Sequence, residues 1–210
     1  MNAIAKSMLD NNRMNVYYRA MRYKDEAKSE SIFNATIQLL NEIGLAEISM
    51  SKIAKRAQVS PSTIYVYFEN KEDMLNKLYL KVKARLSSAA LRNIEPSMTT
   101  REAFETGMKN LMDFALNNRD DFLFMEQFCN SPLINNVSHQ EGIGLFKPLY
   151  DIVERGKEQR LLKQLDTTLL LAYCSIPMLH IVKDHFLGNF ELNEDSLNQI
   201  IQMSWDAIKA

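Results

Sequence analysis

Apolar residues recur at helical spacing along most of this chain, and no stretch has the alternation typical of a strand. The clearest short helix follows Ser49, and its apolar side chains stand at the i, i+3, i+4 and i+7 positions of one face: Met50, Ile53, Ala54 and Ala57. Ser49 has the side chain of an N-cap residue. The pattern breaks at residues 58–60, which predicts a tight turn.

A second short helix is predicted after the turn. Ser60 suits an N-cap, and Pro61 suits the first helical position, where its missing N–H costs no hydrogen bond. Ile64 and Phe68 form the core side, which turns outward Ser62, Thr63, Val66 and Tyr67, with Tyr65 at the edge. Hydroxyls suit base edges or phosphates, and Val66 suits a thymine methyl group. Residues 49–68 therefore predict a helix-turn-helix.

The residue types around this turn also carry a family resemblance. The residues that carry it are Ile53-Ala54, Val59-Ser60, Thr63-Ile64-Tyr65, Phe68, Lys71-Glu72 and Leu75. Together they resemble the DNA-binding signature of the TetR family of bacterial repressors. Two departures are Gln58 and Ser62, which stand where the family usually or often has glycine, so Gln58 must bear backbone strain or a shifted turn. The resemblance implies base contacts by Ser62, Thr63 and Tyr65 and phosphate contacts by Ser49, Ser51, Tyr67 and Lys71, with Lys52 as a further candidate.

The chain is expected to be all-α and to have three segments. Residues 24–85 form the helix-turn-helix DNA-binding domain, and residues 86–210 form a helical ligand-binding and dimerisation domain. Residues 1–23 are an extension with four basic side chains against Asp10. They are read either as a basic arm on DNA, as a surface helix of no specific role, or as lying partly before a true start at Met14 or Met21.

Helix boundaries follow from capping residues and breakers. A first helix is predicted over 25–43, ending before Gly44, and a fourth begins at Lys71 and connects the two domains. Residues 134–144 contain two glycines and few periodic apolar positions, so they are expected to form a loop. Pro177 is expected to kink the penultimate helix.

The penultimate helix is apolar nearly all round, which indicates cover on both sides. With the last helix it predicts a four-helix interface between two copies, and the resemblance implies the same homodimer. The candidate interface residues are Leu169, Leu170, Ile176, Leu197, Ile201 and Trp205. The alternative is a helix central to the core of one subunit.

Aromatic residues and methionines of the middle helices are candidates for an effector pocket. The set is Phe114, Phe122, Met125, Phe128, Phe146, Tyr150, Tyr173, Met178 and His180. Such residues at helical spacing also suit ordinary packing. The family resemblance favours a cavity for an apolar or amphipathic small molecule, which the sequence does not name.

Composition and charge limit the kinds of site and the cellular location that are expected. The formal net charge is −1 and the pI about 6.3, so the chain lacks a strongly basic footprint, and the acidic excess is expected in the second domain. Cys129 and Cys174 are expected to be buried thiols. No metal site, cofactor, signal peptide or membrane span is expected, so the chain should be soluble and cytoplasmic.

These observations predict a dimeric, ligand-responsive transcriptional regulator, most simply a repressor of a palindromic operator. One alternative is an interaction protein or coactivator that keeps the fold and acts through a protein partner. An enzyme is the other, although no nucleophile–base pair, phosphate loop or carboxylate pair is visible.

Overall fold

The computed structural model describes residues 25–129 and 131–210. These residues form ten helices and no strand, apart from an isolated antiparallel bridge between Leu162 and Lys209. The predicted all-α class is confirmed. The predicted basic arm at residues 1–23 lies outside the described residues.

The chain divides into two compact units, one ending at Met74 and one running from Leu75 to Ala210. The first unit contains α1 (residues 25–43), α2 (Met50–Arg56) and α3 (Pro61–Tyr67), and α4 (Lys71–Ala90) crosses the boundary. The second unit also contains α5 (Thr100–Asn117), α6 (Arg119–Phe128), α7 (Asn136–Gly144), α8 (Lys147–Glu158), α9 (Thr167–Phe186) and α10 (Glu194–Ile208). The boundary predicted after residue 85 stays a prediction.

Helix α1 supports the two short helices of the first unit. Its Ile32 and Leu40 are fully buried, as are Ile53 of α2 and Ile64 of α3. The Phe33 ring packs against Phe68, with centroids 5.2 Å apart. These apolar contacts fix the two short helices, which are too short to be stable alone.

The core of the second unit lies among α5, α8, α9 and α10. Buried side chains from all four helices and from the α8–α9 connection meet there, including Met112, Val153, Leu162, Met178 and Trp205. The ends of these helices follow the sequence signals: Asp166 caps α9, and reciprocal capping boxes start α5 and α10. Helix α9 continues through Pro177.

Helix α7 corrects the loop expected over residues 134–144. The Asn135 side chain caps it by accepting a 2.8 Å hydrogen bond from the Ser138 amide. Gly142 is buried and lies so close to Tyr79 that a Cβ there would stand 2.6 Å from the phenol oxygen. The helix is held by contacts with α4 and lacks an apolar stripe of its own, so periodicity did not reveal it.

Two further expectations concern cysteines and membranes. Cys174 is buried, whereas Cys129 is exposed, which corrects half of the cysteine prediction. Cys129 is the C-cap residue of α6. Among residues 25–129 and 131–210, no helix combines the length and apolarity needed to cross a bilayer.

Candidate nucleic-acid interface

The turn between α2 and α3 is tight because Gln58 takes a left-handed backbone conformation. Its φ is +56°, as the sequence predicted for a position where glycine is more usual. Ser49 caps α2 by accepting a 3.3 Å hydrogen bond from the Lys52 amide. Ser60 caps α3 by accepting a 3.2 Å bond from the Thr63 amide, with Pro61 at the first helical position. Local sequence therefore sets where both helices begin.

The outer face of α3 is anchored from beneath by Ile64. That side chain is fully buried, whereas Tyr65 is 56% and Val66 78% exposed on the same helix. Ser51 and Ser62 are also exposed. Large apolar groups held outward on a rigid helix are typical of a contact surface, since burial would otherwise be favourable.

Three hydroxyls at the start of α3 are linked to one another. The Ser60 oxygen lies 2.7 Å from the Ser62 hydroxyl and 2.8 Å from that of Thr63. Thr63 is half-buried, so its hydroxyl is held between the cap and the surface. This network orders side chains that the sequence assigned to base edges.

Tyr67 has a partner that the sequence did not reveal. Its hydroxyl donates a 2.9 Å hydrogen bond to the Asp25 carboxylate, at the beginning of the described part of α1. Partial burial and the nearby carboxylate both raise the pKa of Tyr67. The two residues are far apart in sequence and share no motif, so only the folded chain brings them together.

Two cations of α2 are held by acidic segments of the same unit. Lys52 donates a 2.7 Å hydrogen bond to the Glu47 carbonyl, and Arg56 pairs with the Glu42 carboxylate through both guanidinium nitrogens. Residues 25–74 carry five Lys or Arg against eight Asp or Glu. That range is only part of the predicted DNA-binding domain. Residues 24–85 carry ten Lys or Arg against eight Asp or Glu, and residues 86–210 carry 11 against 17, in agreement with the expectation that the acidic excess lies in the second domain.

The predicted pocket residues fall into separate places within the second unit. Phe122 packs with Val182 and the Phe186 ring, whereas Phe128 stacks on Phe124 with centroids 5.5 Å apart. Met178 belongs to the core around Trp205. Met125 is also buried, and Phe114, Phe146 and Tyr150 are half-buried. The structure therefore does not gather this set around one cavity.

Two of the predicted pocket residues lie on the surface of the single chain. Tyr173 is 65% exposed, and His180 is also exposed, because both lie on the outer side of α9. A surface groove of about 710 Å³ lies elsewhere, beside the α8–α9 connection, and is lined by Lys157, Leu162 and Leu165 among others. Within the described ranges, no group of three or more His, Cys, Asp or Glu could hold a metal ion.

The predicted interface residues fall into two groups, those covered within the single chain and those exposed on its surface. Leu170, Ile201 and Trp205 are buried in the core of the single chain, which corrects their assignment to an interface surface, and Leu197 is half-buried. Leu169 and Ile176 are exposed, and Tyr173 lies between them at helical spacing. We call these three residues the α9 stripe. A helix that is apolar nearly all round does not reveal from its sequence which side faces its own core.

Comparison with known proteins adds to this geometry. The model of a family described as bacterial regulatory proteins, tetR family, matches residues 32–78, which include the helix-turn-helix. A second model, described as tetracyclin repressor-like, C-terminal domain, matches residues 100–209, more than half of the chain. The chain belongs to the TetR family.

Individual TetR-type proteins resemble it over most of its length. An uncharacterized HTH-type transcriptional regulator of Haemophilus influenzae is 24% identical over 90% of this chain and 100% of its own length. The crystal structure of a TetR family transcription regulator from Marinobacter aquaeolei VT8 has a TM-score of 0.84, 27% identity and coverage of 90% of this chain and 98% of its own. Bacillus subtilis FadR, solved in complex with stearoyl-CoA, has a TM-score of 0.67 at 19% identity, covering 83% and 96% of the two chains.

The family and the helix-turn-helix together define the general role of this TetR-family chain. It is a DNA-binding transcriptional regulator with its helix-turn-helix at α2 and α3.

Proposed function

We propose that this regulator is a homodimeric repressor that binds a palindromic operator through α3 and is released by a small apolar or amphipathic effector. The observation that supports the DNA contact is that Ile64 of α3 is fully buried, whereas Tyr65 and Val66 on the same helix are exposed. A helix held this way can enter the major groove and present Ser62, Thr63 and Tyr65 to base edges. Ser49, Ser51, Tyr67 and Lys71, with Lys52, are proposed to contact phosphates.

The α9 stripe supports the dimer. Tyr173 and Ile176 are 65% and 63% exposed, and Met203 on the neighbouring α10 is 71% exposed. Apolar side chains of this size favour burial against a second copy, and a two-fold axis makes the same stripe meet itself. Such a dimer would set two recognition helices about 34–36 Å apart, matching successive major grooves.

Effector release follows from linkage between two sites. A ligand that binds more tightly to a conformation unsuited to DNA weakens DNA binding by the factor by which DNA weakens ligand binding. Coupling of this kind is typically about 1–3 kcal/mol. The relative from Bacillus subtilis, FadR, forms a complex with stearoyl-CoA, and by analogy we propose an amphipathic effector here.

The exposed apolar side chains of α3 also suit one alternative. Tyr65 and Val66 are exposed on the same helix, and a protein partner could cover them. In that case the chain would act as an interaction protein on the same fold. Exposed Tyr65 and Val66 would then contact protein rather than bases.

The deciding experiment is fluorescence anisotropy of the purified protein on the DNA upstream of its own gene, across a salt series. We expect saturable, sequence-dependent binding that Tyr65→Ala abolishes, whereas Val137→Ala, which changes an exposed apolar residue of α7, leaves it unchanged. The affinity should fall as the salt concentration rises, because contacts to phosphates release counterions. Equal affinity for operator and random DNA would favour the interaction protein, and partner capture would follow.

A further inference from the structure

One face of α4 carries four polar side chains at helical spacing, namely Asn76, Tyr79, Lys83 and Ser87. The outer two hold the ends of the α7 segment. Asn76 donates a 2.9 Å hydrogen bond to the Leu133 carbonyl and accepts a 3.0 Å bond from the Asn135 amide. Ser87 donates a 2.6 Å bond to the Leu145 carbonyl. This face of α4 is therefore bound to α7 at both ends.

The middle of this face of α4 is formed by Tyr79 and Lys83. Tyr79 is 2% exposed, and its ring packs against Gly142 and lies 5.8 Å from the Phe128 centroid. The Lys83 ammonium stands 5.8 Å from the Tyr79 centroid and 5.1 Å from that of Phe146, distances at which an aromatic ring attracts a cation. Two rings thus border one ammonium group.

The charge of Lys83 has no counter-anion among the described residues. No hydrogen bond or ion pair joins its ammonium to any of them. The Glu126 carboxylate of α6 is directed to Lys183, 3.3 Å away. Burial lowers the pKa of Lys83, and negative charge on the neighbouring Cys129 sulfur acts in the opposite direction. Lys83 is half-buried, so its charge is partly removed from water, and a bound anion would offset that cost.

We propose that Lys83 binds the carboxylate of a small organic acid whose apolar body lies against the half-buried ring of Phe146. This rests on the proposed effector response and names the chemical class of the effector. A single ammonium matches a monoanion, whereas a phosphate dianion requires further donors. Since α7 is tied to the same face of α4, an acid bound here would act on the helix that continues to Lys71 in the first unit.

The test uses the full-length protein and two matched probe series, the straight-chain acids from hexanoate to hexadecanoate and the corresponding primary alcohols. Binding is measured by calorimetry for wild type, Lys83→Met and Lys109→Met, the last changing an exposed lysine of α5. We expect the acids to bind more tightly than the alcohols. Lys83→Met should weaken acid binding about 10- to 100-fold and leave the alcohols unchanged, and Lys109→Met should match wild type.

Circular dichroism checks that each variant is folded. Lys83→Arg is a second control, since it keeps the charge and should keep the preference for acids. Equal affinity for acids and alcohols, unchanged acid binding in Lys83→Met, or no binding by any acid would each overturn the proposal. Operator binding by ligand-free wild type is measured in parallel. If it stays sequence-specific while the acids fail, the Lys83 assignment is wrong and the regulator stands; if it is absent, the regulator itself is wrong.

Discussion

The Tyr67 hydroxyl donates a 2.9 Å hydrogen bond to the Asp25 carboxylate and so ties the end of α3 to the beginning of the described part of α1. Asp25→Asn and Tyr67→Phe should each lower the free energy of unfolding by about 0.5–1.5 kcal/mol, and the double variant should cost little more than either. Urea titrations of the four proteins measure this coupling. Fully additive losses would show that the bond is not stabilising.

The same pair bears on DNA binding. Tyr67 is proposed to contact a phosphate, and a carboxylate beside it repels that group. We therefore expect Tyr67→Phe to weaken operator binding and Asp25→Asn to strengthen it at low salt, with both differences shrinking as salt rises. Anisotropy titrations at two salt concentrations measure these changes. An unchanged affinity in both variants would restrict the pair to a role in folding.

Gln58 occupies a left-handed backbone conformation, with φ +56°, that glycine adopts without steric cost. Gln58→Gly should therefore raise the free energy of unfolding by about 0.5–1 kcal/mol. The control is Gly44→Ala at φ +79°, where the added Cβ meets no atom and only the backbone is strained, so that variant should lose stability. A stability loss in Gln58→Gly would mean that its side chain contributes more than the strain costs.

Gly142 and Gly144 lie on the same helix and differ in their surroundings. A Cβ at Gly142 would stand 2.6 Å from the Tyr79 phenol oxygen, whereas one at Gly144 would meet nothing within 4 Å. Gly142→Ala should cost about 1–3 kcal/mol by overpacking, and Gly144→Ala should be nearly neutral. Thermal unfolding measures both. Equal effects would indicate that α7 moves away from α4 without penalty.

The α9 stripe predicts the oligomeric state. Ile176→Glu should convert the dimer to a monomer, because it places a charge in a surface proposed to be buried. Val137→Glu on α7 is the control, since Val137 is similarly exposed but lies off the stripe. Sedimentation velocity distinguishes the masses. A wild-type monomer, or an intact Ile176→Glu dimer, would contradict the proposed interface.

Cys174 predicts a loss of stability at high pH. Burial raises the pKa of its thiol from 9.0 to about 12. Between these values the unfolded chain loses a proton that the folded chain keeps, so the contribution of this thiol is complete below about pH 9 and is lost as the pH rises toward 12. Iodoacetamide at pH 8.5 should modify exposed Cys129 and spare Cys174 until denaturant is added. Prompt labelling of Cys174 in the folded protein would contradict its burial.

Helix starts and the position of the recognition helix were predictable from sequence because their causes are local. Ser49, Ser60 and Asn193 cap helices through amides three residues ahead, and Ile64 and Phe68 set the inward side of α3 by their spacing. The signature around the turn also indicated the family. Asp25 as the partner of Tyr67 carried no such signal.

Only the tertiary structure decided which sides of the helices are covered. Leu170 and Ile176 are both apolar residues of α9, yet Leu170 is buried in the core of its own chain and Ile176 is exposed. When a helix is apolar nearly all round, its sequence pattern does not show which side faces the core. Helix α7 was invisible because Asn76 and Tyr79, far away in sequence, hold it. Capping and spacing act within a few residues, whereas burial depends on what the folded chain places opposite each side chain.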